Sequence, residues 1–177
     1  MTNFATDIAA PPEKVWPWLL QMGYGRAGWY TWFPLDNGGV PSAEAIVPTL
    51  QDVKLGDVFP DGPRAREGFG VWRVRQLDAN RALVLHSRRD PVSGREVDGT
   101  IGPDGANAID CSRAFVLTLT PNGTRLRVRV RARLLGRLAR PALAKAARLM
   151  FGLGDNVMEN TMLAGIRARA ERTAALS

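Results

Sequence analysis

The clearest hydrophobic pattern in the chain lies between Arg113 and Leu134. From Arg125 to Arg133 an arginine stands at every second position, with Leu126, Val128, Val130 and Ala132 between them. Such alternation predicts a strand with one wet face and one buried face. Phe115, Leu117 and Leu119 keep the same period upstream, and Pro121-Asn122-Gly123 separates the two runs. Asn-Gly suits the positive φ of a tight hairpin. With Asn122 and Gly123 as the loop, Leu119 faces Leu126, Leu117 faces Val128 and Phe115 faces Val130. Thr120, Thr118 and Val116 then face arginines on the other side. The turn and both patterns agree on this register, and a slip of one residue would bury every arginine.

The same reading extends along the chain. Phe4 to Ile8 is a short strand. Ala10-Pro11-Pro12-Glu13 opens a helix that runs to about Met22, with proline and an acid where a first turn favours them. Pro17 predicts a kink in it. Tyr24, Trp29, Tyr30, Trp32 and Phe33 crowd the next stretch. They read either as a core plug or as the wall of a ligand cavity. Asp36 follows, as a helix cap, an arginine partner or a carboxylate lining that cavity. Ser42 to Leu50 resembles a short helix, and Leu55 to Phe59 a turn into a strand. Phe69 to Leu77 and Ala82 to Arg88 are two further strands. A two-residue loop between them sets His86 opposite Arg73 on the outer face; a three-residue loop sets it opposite Trp72, inside. Residues 89–112 lack periodicity and read as a lid, a binding loop or a disordered segment, with mobility expected there. Residues 137–150 form a basic amphipathic helix, which Gly152 and Gly154 break. A last helix spans about 155–173, with Asp155 or Asn156 as its cap. Met158, Met162, Gly165 and Ile166 share one face of it, and Glu159 sits at the edge of that face.

Composition narrows the chemistry. A length of 177 residues suits one domain. The net charge is +7, and residues 125–140 hold seven arginines and no acid, so the remainder is balanced. With one histidine and one cysteine, His86 and Cys111, the chain offers neither a disulfide nor a His- or Cys-rich metal site. No phosphate-binding glycine loop with its lysine is present, so no cofactor is expected. No leader and no membrane-length apolar run are visible, which suggests a reducing cytoplasm. The arginine face lacks interleaved aromatics, which disfavours nucleic acid. Weak contact with an anionic membrane surface through Arg125 to Arg148 is an alternative to a plainly solvated face. Nothing in the sequence specifies an oligomeric state.

Several segments resemble one superfamily. Ile8-Ala9-Ala10-Pro11-Pro12-Glu13-Lys14-Val15-Trp16 is similar to the first strand end and helix of START-like SRPBCC proteins. Gly28-Trp29-Tyr30 through Leu35-Asp36-Asn37, Leu50 through Asp57, and Val157 through Ile166 resemble an uncharacterised bacterial branch of that group. The resemblance spans nearly the whole chain, except residues 89–112 and 137–150. It implies an α+β helix-grip fold: a curved antiparallel β-sheet wrapped around a long C-terminal helix, with an apolar cavity between them. Combined with the strand and helix patterns, it places Trp29, Tyr30, Trp32, Trp72, Phe115, Leu117, Val128, Val130, Met158, Met162 and Ile166 around the cavity.

The expected function is therefore binding of a small hydrophobic molecule, a lipid or an aromatic, polyketide-like compound. The alternative is a metal-free enzyme of the cyclase or dehydratase type. Such an enzyme would work through polar groups in the pocket, and the candidates are Tyr30, Asp36, His86, Arg113 and Glu159. A buried Glu159 would have a raised pKa and could exchange protons near neutrality. One lone polar group in the pocket suggests binding, and a converged acid–base pair suggests catalysis.

Overall fold

In the computed structural model the chain runs through β1 (Thr2–Ile8), α1 (Pro12–Leu20), β2 (Val58–Pro60), β3 (Val71–Asp78), β4 (Ala82–Arg89), β5 (Ala108–Thr120), β6 (Gly123–Leu135) and α2 (Pro141–Ala175). The structure describes residues 1–31, 37–98, 107–139 and 141–176, with the backbone alone for 137, 138 and 141–155. The fold is α+β. Six strands form one antiparallel sheet in the order β1-β6-β5-β4-β3-β2, and the C-terminal helix packs against α1 and β1.

The alternating faces of β5 and β6 are as the pattern requires. Phe115, Leu117, Leu126, Val128 and Val130 are buried, while Arg125, Arg127, Arg129, Arg131 and Arg133 are exposed. The register, however, differs from the expected one by two residues. Phe115 pairs with Val128, Leu117 with Leu126 and Thr120 with Gly123, so the loop is Pro121-Asn122. An even shift leaves each side chain on its own face. The cause lies at Gly123, which has φ +130°. A methyl group there would stand 2.2 Å from the Ile8 carbonyl oxygen and 2.8 Å from the Ala10 nitrogen. The chain leaving β1 crosses directly over Gly123, so this glycine serves a close approach rather than the turn itself. Thr124 fastens the same crossing by donating from Oγ1 to the Ala10 carbonyl at 2.7 Å.

Three other expectations change. Ser42 to Leu50 holds only a short 3₁₀ turn at Pro48–Leu50. Arg169 and Arg172 hold the stretch before that turn from α2: both guanidiniums reach the Glu44 carboxylate, and Arg169 Nε donates to the Ala43 carbonyl at 2.8 Å. Gly152 and Gly154 do not break the last helix, which is continuous from Pro141 to Ala175. A helical glycine costs only about 1 kcal/mol relative to alanine, which the rest of a long helix absorbs. Asn156 is therefore no cap; its carbonyl accepts from the Asn160 side chain at 2.8 Å. The segment 89–112 is shorter than expected, because β5 begins at Ala108 and Arg95 and Glu96 bridge to Phe69 and Arg89. Residues 99–106 lie outside the described residues.

The segment ahead of α2 fixes how the helix seats. Tyr30 has φ 61°, a left-handed conformation that few non-glycine residues adopt. Its N–H donates to Ser42 Oγ at 3.1 Å and its hydroxyl to the Trp18 carbonyl at 3.0 Å. Its ring meets Trp18 edge-on, with centroids 5.8 Å apart. Gly165 of α2 rests directly on the Tyr30 backbone, since a methyl group on it would stand 2.0 Å from the Tyr30 carbonyl oxygen. The turn of α2 below this contact buries Glu159, Met162, Leu163 and Ile166. Glu159 thus lies within the buried face, and Met158, which is 46% exposed, lies at its edge. This reverses the expected roles of those two neighbours.

Candidate functional site

Strand parity puts Arg113 on the inner face of β5, opposite Val130 of β6 and Leu85 of β4. Two residues towards the chain start, Cys111 pairs with Ala132 and Ser87 on the same face. Trp72 comes from the inner face of β3, and Asp61 from the turn just after β2. The buried face of α2 brings Glu159 and Met162, and the segment before Tyr30 brings Trp29. These elements converge at one end of the sheet.

Arg113 is the centre of the arrangement. Its Nη2 lies 2.6 Å from Glu159 Oε1, and the two side chains are 14% and 1% exposed. Its guanidinium carbon stands 5.5 Å from the centre of the Trp29 ring and 4.9 Å from that of Trp72. Cation–π contacts of this kind gain most where water is excluded, up to about 2 kcal/mol. Arg89 continues the series: it stands 5.5 Å from the Trp72 ring and pairs with Asp61 at 2.6 Å. Two ion pairs and two indoles thus form one packed ladder beneath α2.

The described residues enclose two chambers against this ladder. The larger, about 650 Å³, is lined by Trp72, Ile109, Cys111, Val130, Ala132 and Leu134, with Arg89, Asp61 and Arg133 among its polar walls. The smaller, about 140 Å³, is lined by Trp29, Thr31, Glu159 and Met162. Arg113, Asp61 and Met158 border both. The larger volume is in the usual range for small-molecule sites.

Of the residues expected around a cavity, Trp29, Trp72, Val130, Met158 and Met162 line one chamber or the other. Phe115, Leu117, Val128 and Ile166 are instead packed in the core and line neither chamber. Tyr30 also belongs to the core. Burial pushes its hydroxyl well above the ordinary tyrosine range, more than hydrogen bonding and nearby guanidiniums lower it. With that hydroxyl donated to Trp18, it serves the packing of α1 rather than a pocket. Trp32 and Asp36 lie outside the described residues. Arg113 and Glu159 meet in the buried ion pair. Asp61, Arg89 and Ile109 were not expected in the site. Asp61 stands in a turn and the other two near strand ends, where periodicity gives no signal.

His86 is on the opposite face of the sheet. The β3–β4 turn is three residues, Ala79 to Arg81, but a bulge between Val74 and Gln76 resets the register. His86 therefore faces Arg73, as the two-residue loop alone would have placed it. Its Nε2 lies 2.8 Å from Asp110 Oδ1, and Arg88 binds the other oxygen of that carboxylate at 2.9 Å. Arg73 pairs with Glu96 at 2.6 Å on the same face. Burial alone would raise the Asp110 carboxyl, but the hydrogen bonds from His86 and Arg88 outweigh it and hold the group below the usual carboxylate range. The hydrogen bond from Arg73 does the same for Glu96. Carboxylates lowered in the folded state stabilise it fully above their unfolded pKa, about 4, and that contribution is lost as pH falls through the lowered values. Asp110→Asn should accordingly flatten the fall of Tm on the acid side of about pH 4. Parallel wild-type and variant curves would show that Asp110 contributes nothing to acid sensitivity.

The outer arginines are partly matched. Arg125 reaches Asp7 at 3.3 Å, and Arg129 Nε donates to Asn3 at 3.0 Å, both across the β1–β6 pairing.

No family model matches the chain, and no curated protein matches it in sequence. Solved structures do resemble it. Protein MLL2253 from Mesorhizobium loti aligns over 97% of both chains with a TM-score of 0.50 and 18% identity. Protein SSP2350 from Staphylococcus saprophyticus covers 97% of this chain and 92% of its own, at TM-score 0.45 and 8% identity. Protein CV1439 from Chromobacterium violaceum covers 96% of both chains, at TM-score 0.44 and 14% identity. At 18% identity the likeness to MLL2253 speaks to the fold alone.

Proposed function

We propose that this chain is a cytoplasmic helix-grip domain of the START-like SRPBCC kind that binds a small hydrophobic molecule between its sheet and α2. The observation that carries this reading is the chamber of about 650 Å³ walled by Trp72, Ile109, Val130, Ala132, Leu134 and Met158. Apolar walls with a few fixed polar groups are what a small-molecule site requires. The methionine at the rim suits varied guests, because its side chain is flexible and polarisable. Binding takes precedence over catalysis because His86, Tyr30 and Glu159, the protonatable candidates among the described residues, do not converge. His86 is on the outer face, Tyr30 is engaged in the core, and the partner of Glu159 is a guanidinium, which does not exchange protons near neutrality.

Native mass spectrometry tests this reading. Protein purified without detergent should carry an adduct of a few hundred daltons that leaves on collisional activation. The bare polypeptide mass alone, both as purified and after incubation with mixed fatty acids and naphthalene derivatives, would contradict it.

A further inference from the structure

Arg125, Arg127, Arg129, Arg131 and Arg133 stand exposed in one line on the outer face of β6. Alternate residues of a strand lie about 6.7 Å apart, inside the roughly 8 Å over which physiological salt screens charge. Each guanidinium therefore repels the next, and the fold gains no stability from the row. Carboxylates on the neighbouring strands would relieve that repulsion. Arg125 has one, Asp7 at 3.3 Å. Asp110 stands opposite Arg133, but His86 and Arg88 already engage it. Arg127 lies between Ala5 and Val116, Arg129 between Asn3 and Ala114, and Arg131 faces Ser112. Among the described residues, no carboxylate stands opposite these three on either neighbouring strand.

The flanking side chains are all shorter than arginine, so the guanidiniums form a ridge and do not line a groove. Single-stranded nucleic acid is held in basic grooves and stacked on aromatic rings. The residues opposite the row include no aromatic ring. A bilayer suits a ridge, because its headgroups rearrange around the charges. A guanidinium can take a phosphate with two parallel N–H bonds, and an anionic leaflet attracts each nearby arginine. Val116, which is 39% exposed beside Arg127, offers an apolar contact on the same face. We infer that the outer face of β6 docks this protein on a membrane surface carrying anionic lipid, with Arg127, Arg129 and Arg131 on the headgroup phosphates. The docking face lies across the sheet from α2 and requires no guest in the chamber.

Co-sedimentation of the full chain with vesicles tests this. Wild type at low salt should bind vesicles of phosphatidylcholine mixed with phosphatidylglycerol, and not vesicles of phosphatidylcholine alone. Raising the salt to about 0.5 M should release it. The triple variant Arg127→Gln, Arg129→Gln, Arg131→Gln changes exposed side chains only. Each arginine near an anionic leaflet is worth about fivefold in partitioning, so this variant should lose about a hundredfold. The control Lys54→Gln, Arg66→Gln, Arg81→Gln removes the same charge from exposed positions off β6 and should lose no more than severalfold. No binding to the anionic vesicles, or equal binding to both kinds, would overturn the inference. Equal losses in the two triple variants would overturn it as well, since binding would then follow net charge and not the row. Binding to single-stranded or duplex DNA as tight as to the anionic vesicles would assign the face to nucleic acid instead. None of these outcomes bears on the adduct sought by native mass spectrometry, so the docking face and the hydrophobic site fail separately.

Discussion

Gly165→Ala should destabilise the protein by about 3 kcal/mol or more, although alanine is the better helix former. Two effects oppose each other. Replacing an interior helical glycine by alanine ordinarily gains about 1 kcal/mol. Here the new methyl group would stand 2.0 Å from the carbonyl oxygen of Tyr30, far inside contact distance. That oxygen is backbone, and the Tyr30 N–H and hydroxyl are both already engaged, so it cannot simply swing aside. The helix must lift or the segment must move, and the Glu159, Met162 and Ile166 packing would be disturbed with it. The clash should dominate. Urea unfolding measures the difference, with Gly62→Ala as the control, since nothing stands within 4 Å of a methyl group at that position. A Gly165→Ala protein as stable as wild type would mean that α2 does not seat on Tyr30.

The second large effect concerns the buried ion pair. Glu159→Leu alone, or Arg113→Met alone, should cost about 3–5 kcal/mol, because each breaks a buried ion pair by removing one side of it. The double variant should lie much closer to wild type, since two apolar side chains of similar volume replace the pair. The double-mutant cycle would then show strong coupling in urea unfolding. The near-complete burial of Glu159 is what makes this pair differ from those on the sheet's outer face, where Arg73 and Glu96 also stand 2.6 Å apart. The Arg125–Asp7 pair, at 3.3 Å with both side chains well exposed, should contribute well under 1 kcal/mol. Additive single and double variants at Arg113 and Glu159 would show that the two are not coupled.

How much of this was legible in the sequence differs element by element. The faces of β5 and β6 were, because charge and hydrophobicity alternate there with one period. Their register was not, because the Asn-Gly signal is local and the contact that makes Gly123 necessary comes from Ile8 and Ala10, more than a hundred residues earlier. Arg113 could be placed inside by counting in twos from Phe115. Its partner could not be centred so readily: the helical pattern marked Met158 as the inward residue, whereas the seat of Gly165 on Tyr30 goes with Glu159 turned inwards. The aromatic cluster was read with two alternatives, a core plug or a cavity wall, and of its members Trp29 and Tyr30 are buried. Both hold in adjacent residues, since Tyr30 plugs the core and Trp29 walls a chamber. The glycines at 152 and 154 misled, because a helix penalty is not a helix stop. Asp61 and Arg89 were invisible, since a turn residue and a strand end find each other only in three dimensions.

Methyl NMR of the methionines, with 2-acetylnaphthalene and 2-ethylnaphthalene as probes, tests most directly whether the space beneath α2 takes an apolar guest. Met158 and Met162 border the chambers, while Met22 is fully buried and borders neither. Saturable shifts of the Met158 and Met162 methyl signals, with Met22 unmoved, are the predicted result. Spectra in which neither Met158 nor Met162 responds to either probe at saturating concentration would contradict it.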